Sequence, residues 1–241
     1  HNFQLIQGPP GTGKSKVLLA ILKELNRQEK RVLVVAASNS AVDHLLMKCE
    51  INPEYLLRLG HISRIDPKAQ FCCLEEKWRA SESHQIVTKL KKEHQKIKAQ
   101  LHKVRGEDKK QIIHELKLIE ENISDLLISG KDYILNRSPI VFATHTGFQP
   151  FLLRGQKFDV VLVDEAAQCT EVDLWLTLPW GKRWILAGDP SQLPAVVKSS
   201  KAKELSVSLM ERLIKKDVYY HLLEEQYRMH EKIAQYSSDT F

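Results

Sequence analysis

An α/β fold with a mostly parallel sheet is predicted by three observations. A glycine-rich turn stands between a short apolar run and an amphipathic helical pattern. Unbroken apolar runs then alternate with further helical stretches, and a charged, helix-forming block interrupts that alternation near the middle. The chain has 241 residues, 43% of them hydrophobic. That is enough for one large domain with an insertion and a sizeable core.

The turn is Gly8-Pro9-Pro10-Gly11-Thr12-Gly13-Lys14-Ser15, which fits G-x-x-x-x-G-K-[ST], the phosphate-binding loop. Phe3 to Gln7 reads as a buried strand. Ser15 to Leu25 reads as a helix with Val17, Leu18, Ile21, Leu22 and Leu25 on its apolar face. Backbone N–H groups of such a loop and the helix dipole converge on one spot that favours an anion. The spacing therefore predicts a nucleoside triphosphate site, with Lys14 reaching the phosphates and the Ser15 hydroxyl available to Mg2+.

Arg31 to Ala37 is the next apolar run, a strand buried on both faces. Ser38 or Asn39 can cap the following helix, which runs to about Cys49. Leu56 to Gly60 reads as a short third strand. Residues 61–137 change character: Lys, Glu, Gln and His dominate, and prolines vanish after Pro67. Ile112, Leu116, Ile119, Ile123 and Leu126 form the seam of a packed helix, and Ile86, Leu90, Ile97, Leu101 and Val104 make a looser stripe on an earlier one. With Gly106-Glu107-Asp108 as the turn, this predicts an inserted antiparallel helical hairpin. Its lysines (Lys89, Lys91, Lys92, Lys96, Lys98, Lys109, Lys110) suit either phosphate contact or an ordinary solvated face, since acidic residues are interleaved. The sheet resumes with strands over Pro139–Thr144, Phe158–Val163, Arg183–Ala187 and Val218–Leu222, and with a helix over Ala202–Lys216. The expected division is thus residues 1–60 and 138–241 for the α/β body and 61–137 for the insertion.

Polar and ionisable residues collect after the carboxyl ends of these strands, where open α/β sheets bind ligands. Asp164-Glu165 follows one of them. Asp164 is suited to hold Mg2+ and Glu165 to act as general base towards an attacking water. Gln192 reaches the same edge and can hydrogen-bond a γ-phosphate. Arg228 suits charge developing on γ-phosphoryl oxygens, and Tyr227 offers an aromatic face to a nucleobase. Taken singly, each has a plain alternative: a helix cap, a common Gly-Asp-Pro turn, or an ion pair of Arg228 with Glu224 or Glu225. Their order after a phosphate-binding loop favours a triphosphatase.

Bulk properties bound the rest. Net charge is +6 and the pI about 9.0, which leans weakly towards an anionic partner. None of the four cysteines (Cys49, Cys72, Cys73, Cys169) forms a C-x-x-C pair, which argues for reduced thiols and against a zinc site. No apolar stretch is long enough for a membrane span and no signal peptide stands out. The chain opens inside its first strand, as expected of a piece of a longer protein.

Together, Gly8–Ser15, Ser38-Asn39-Ser40-Ala41-Val42-Asp43, Thr144-His145-Thr146-Gly147, Asp164-Glu165-Ala166-Ala167-Gln168, Gly188-Asp189-Pro190-Ser191-Gln192-Leu193-Pro194 and Gln226-Tyr227-Arg228-Met229-His230 resemble successive motifs of the superfamily 1 helicases, in the nonsense-decay and senataxin-like variant. Leu57-Arg58-Leu59-Gly60-His61, Ser206 to Leu213 and Ser238-Asp239-Thr240 resemble the immunoglobulin-mu-binding branch most. The resemblance implies the first RecA-like motor domain of an ATP-driven helicase moving 5′ to 3′ on single-stranded RNA or DNA, in a monomeric protein of the nucleus or cytoplasm. It assigns ATP phosphates to the loop (Gly8, Pro10, Gly11, Thr12, Gly13, Lys14, Ser15), Mg2+ to Ser15 and Asp164, and catalysis to Glu165, with Lys14, Gln192 and Arg228 around the γ-phosphate. Tyr227 would stack on adenine. Ser38, Asn39, Thr144 and Thr146 would touch the nucleic-acid backbone, which hydroxyl and amide groups bind without reading sequence. It also implies a second RecA-like domain that supplies another arginine and lies outside these residues. An adenine-reading glutamine upstream of the loop and a nucleic-acid-gripping β-barrel are likewise not found in this stretch. Hydrolysis by this stretch alone is therefore expected to be slow, by ~10³-fold or more. Two other classes remain open: a nucleotide-gated clamp that never unwinds, and a P-loop kinase. The intact carboxylate pair argues against the first, and the lack of a lid-like segment against the second.

Overall fold

In the computed structural model, which describes residues 2–147, 153 and 155–230, seven strands form one sheet in which every pairing is parallel. In chain order the regular elements are β1 (Phe3–Gln7), α1 (Lys14–Arg27), β2 (Val32–Ala36), α2 (Asn39–Lys48), β3 (Leu56–Arg58), α3 (Leu74–Arg79), α4 (Glu82–Gln100) and α5 (Gly106–Arg137). They continue with β4 (Ile140–Thr144), β5 (Phe158–Asp164), α6 (Glu171–Thr177), β6 (Gly181–Gly188), α7 (Leu209–Lys215) and β7 (Tyr220–Leu222). The strand order is β3-β4-β2-β5-β6-β1-β7.

The unbroken apolar runs are explained by burial on both faces. In β2, Leu33 and Val35 belong to one apolar cluster and Val32, Val34 and Ala36 to the other. Side chains alternate across a strand, so a strand covered on both sides needs apolar residues at every position. Leu18 and Leu22 of α1 and Leu45 and Leu46 of α2 complete one layer, and Leu174 of α6 and Met210 of α7 contribute to the other.

Residues 61–137 hold α3 as well as the two long helices. Trp78 of α3 lies so close to Gly130 of α5 that a Cβ there would come within 2.2 Å of the indole. Trp78, Val87, Ile134 and Leu135 join the same apolar cluster as the sheet. The base of the hairpin is thus packed into the α/β core.

Three details differ from the sequence expectation. The inward stripe of α4 is carried by Val87, with Ile86 47% exposed. The seam runs through a half-buried His94, which bonds Glu120 at 2.9 Å, and a polar residue there hides the true periodicity. The hairpin turn lies at residues 101–105, because α5 begins at Gly106. A single helix over 202–216 is replaced by a 3-10 segment, Ser200–Ser206, and then α7, whose N-cap Ser208 accepts from Glu211 N–H at 3.1 Å. That cap fixes a fresh start that periodicity alone passes over. The Ser238-Asp239-Thr240 motif lies outside the described residues. Among the described residues no helix is long and apolar enough to cross a membrane, and the four cysteines are free thiols.

Candidate active site and nucleic-acid edge

Register brings the predicted residues to one edge of the sheet. Gln7, the last residue of β1, pairs with Gly188 at the end of β6, so the phosphate-binding loop and the Asp189 turn leave the sheet side by side. Ala36 pairs with Asp164 on one side and Thr144 on the other. The edge therefore runs from the Thr144 and Ser38 loops, through Asp164-Glu165, to the phosphate-binding loop.

The loop itself depends on backbone freedom. Gly11 and Gly13 have φ of 83° and 92°, a region costly for residues with a Cβ. A Cβ on Gly11 would also come within 2.6 Å of the Arg228 Cβ, while the Tyr227 N–H donates to Gly11 O at 2.9 Å. The segment Gln226–Arg228 is thus laid directly on the loop. Lys14, 8% exposed, donates to the carbonyls of Gly8 (2.6 Å) and Pro9 (3.4 Å), which holds its ammonium across the loop.

The Ser15 hydroxyl donates to Asp164 Oδ2 at 3.2 Å, across 149 residues of sequence. Asp164 is 4% exposed. Burial raises its pKa, opposed by the Glu165 N–H, the Ser15 hydroxyl and Lys14. Glu165 follows in the left-handed region at φ 52°, a conformation uncommon outside glycine and shared here by Glu29 and Asp217 in turns. Burial, then the Asp164 carboxylate, raise its pKa, and Lys14 and Arg228 pull it down. Lys14, Asp164, Glu165 and Arg228 therefore share one electrostatic neighbourhood. Gln168 donates to Glu165 Oε2 at 3.2 Å. Gln192 donates to Asp189 Oδ2 at 3.0 Å, so its amide is held at the end of β6.

Arg228 is exposed, and its position is set by its neighbour. Gln226 Oε1 accepts from the Arg228 N–H (3.1 Å) and the Met229 N–H (2.7 Å). The sequence reading missed this turn-closing role. The Glu225 carboxylate accepts from the Tyr227 hydroxyl at 2.5 Å. Tyr227, 73% exposed, borders a cleft of about 510 Å3 that also touches Thr12, Gly13 and Val17.

On the other flank, Ser38 caps α2, accepting from the Ala41 N–H at 3.2 Å. Asn39 is half-buried, Thr144 buried and Thr146 exposed. Asn39 Oδ1 accepts from Arg58, a fully buried residue that sequence reading placed in a strand and in the Leu57–His61 motif without assigning its side chain a role.

Between the flanks lies a buried pair unforeseen from sequence, His145 Nε2 and Cys169 Sγ, 3.1 Å apart. Burial lowers the His145 pKa to about 4 and raises the Cys169 pKa to about 12. Both are neutral at pH 7, so the pair is a structural contact and not an activated thiolate. The unfolded state takes up a proton below the ordinary histidine pKa and the folded state does not, so stability is lost as pH falls from about 6.5 towards 4. Urea unfolding should show His145 lowering stability by roughly 2 kcal/mol between pH 7 and 5. His145→Asn should remove that part of the slope, and an unchanged slope would contradict the buried neutral imidazole.

A phosphate-binding loop joined to a buried carboxylate at the edge of a parallel sheet defines a P-loop domain of the RecA-like class. The chain matches the AAA_11 family, an AAA domain, over residues 1–200 and AAA_12, also an AAA domain, over 205–241. It is 33% identical to DNA polymerase alpha-associated DNA helicase A of Schizosaccharomyces pombe, over 99% of this chain and 36% of that protein. It is 35% identical to DNA-binding protein SMUBP-2 of Mesocricetus auratus, over 98% of this chain and 25% of that one. With the Regulator of nonsense transcripts 1 homolog of Drosophila melanogaster it shares 34% identity over 99% of this chain and 20% of that one. The chain belongs to the superfamily 1 helicases of the nonsense-decay and senataxin-like group. It spans about a third or less of the length of these relatives.

Proposed function

We propose that this chain is the first RecA-like motor domain of an ATP-dependent helicase or translocase that runs 5′ to 3′ on single-stranded RNA or DNA. Residues 1–60 and 138–241 form the motor body, and 61–137 the inserted helical subdomain. The observation that carries the reading is the Ser15–Asp164 hydrogen bond, on the same sheet edge as the Ser38, Asn39, Thr144 and Thr146 group.

In this reading the loop N–H groups and Lys14 bind the ATP phosphates. The donor set suits Mg2+: half-buried Ser15 and buried Asp164 present hard oxygens side by side, and such sites use one or two protein ligands alongside phosphates and water. When bound, Mg2+ would neutralise charge on the transferring phosphoryl group. Glu165 accepts the proton of the attacking water. Gln192 hydrogen-bonds the γ-phosphate, and Arg228 stabilises its developing negative charge. Tyr227 offers its ring to the base in the neighbouring cleft. Ser38, Asn39, Thr144 and Thr146 hold phosphates of the single strand, a sequence-independent contact suited to a moving motor.

The test is ATP hydrolysis by the full-length protein with no polymer, with single-stranded RNA and with single-stranded DNA, at one fixed salt concentration. Stimulation of about tenfold or more by a single strand is expected, and the RNA-to-DNA ratio ranks the two tracks. ATP binding with a rate that no nucleic acid changes would overturn the translocase and leave a nucleotide-gated clamp.

A further inference from the structure

Among the described residues, one arginine is fully buried in the interior of the α/β body. Arg58, at the end of β3, has 0% exposure. Its Nε donates to Asp43 Oδ1 at 2.7 Å, Nη1 donates to Leu59 O, and Nη2 donates to Asn39 Oδ1 at 2.8 Å. The second oxygen of Asp43 accepts from the Asp66 N–H at 2.8 Å, which ties the start of the inserted segment into the same network.

A buried ion pair is a poor source of net stability, because desolvation cancels most of the attraction and apolar residues of similar volume often do as well. Neutralising Asp43 requires only one edge of the guanidinium. The third bond, to Asn39, has a directional consequence. Arginine has donors and no acceptor, so only the carbonyl end of the Asn39 amide can face it. The Asn39 NH2 group must point the other way. Asn39 is the first residue of α2, next to the exposed Ser38 cap, at a helix end whose partial charge is positive.

We infer that Arg58 is a positioning residue for nucleic-acid binding: it locks the Asn39 amide so that its two N–H donors face the phosphate backbone of a single strand. A free amide has two orientations, and binding a phosphate must order it with its oxygen turned away, at a cost in rotamer freedom. The locked amide presents only donors. This inference rests on the proposal that Asn39 touches nucleic acid.

The test is a double-mutant cycle in the full-length protein. Affinity for a labelled single-stranded oligonucleotide is read by fluorescence anisotropy at fixed salt, alongside ATP affinity and melting temperature. Arg58→Lys keeps a cation for Asp43 but loses the planar fork that serves Asn39 as well. Asn39→Ala and Arg58→Lys should each weaken strand binding, the former by about tenfold. The double variant should bind no more than about twofold worse than Asn39→Ala, with ATP affinity unchanged throughout. Asn39→Asp still satisfies Arg58, so it should keep the melting temperature while weakening strand binding at least as much as Asn39→Ala. Effects that multiply in the double variant would overturn the positioning role. Wild-type strand binding with Asn39→Ala unaffected would remove Asn39 from the interface. A wild-type protein that binds no single strand would overturn the nucleic-acid reading itself, and this inference with it.

Discussion

Replacing Lys14 with alanine should lower ATP affinity of the full-length protein at least a hundredfold, about 2.7 kcal/mol. The ammonium is buried to 8% exposure and sits over the loop through Gly8 and Pro9 carbonyls. Its ammonium is thus held against the loop, whose type presents backbone N–H groups to phosphate. A buried charge-assisted contact is worth far more than an exposed one, because no water competes for it. Titration with a fluorescent ATP analogue measures the loss, and circular dichroism verifies the fold. An affinity within about threefold of wild type would remove Lys14 from the phosphate site.

Replacing Glu165 with glutamine should have the opposite signature. ATP should bind within a few-fold of wild type, because shape and the Gln168 contact are kept, while nucleic-acid-stimulated turnover falls by about 10²–10⁴. Three features single out this carboxylate. Its backbone is held in the left-handed region, its pKa is raised chiefly by burial and by Asp164, and Asp164 itself is engaged by Ser15. A buried carboxylate pressed towards its neutral form is a stronger proton acceptor than one in water. Steady-state hydrolysis with a saturating single strand measures the effect, and normal turnover in the variant would sink the base assignment.

Much of the architecture was legible in the chain because it is written locally. Phe3–Gln7 and the loop after it need only a few contiguous residues to declare strand, turn and helix N-terminus. The near-continuous apolar runs at 31–37 and 158–163 revealed strands buried on both faces, since a doubly covered sheet favours apolar residues at successive positions; Asp159, near the start of β5, is the half-buried exception. The positions of Asp164, Glu165, Gln192 and Arg228 were readable as motif residues, each following a strand. Less legible were features in which a polar residue occupies an apolar register, as His94 does in the seam of α4. The restart of α7 was also hidden, because Ser208 carries a cap and no periodicity.

By itself, then, the sequence determined the parallel α/β class, the phosphate-binding loop, the inserted helices and the identity of the catalytic candidates. Only the tertiary structure decided which strands are neighbours. That choice joins Ser15 to Asp164 over 149 residues and sets Ala36 between Asp164 and Thr144. It also brings Arg58 to Asn39 and His145 to Cys169. The reason is physical. A turn or a cap is fixed by interactions within four or five residues, whereas a buried arginine's partners depend on the order of strands in the sheet, which is settled by packing both faces at once.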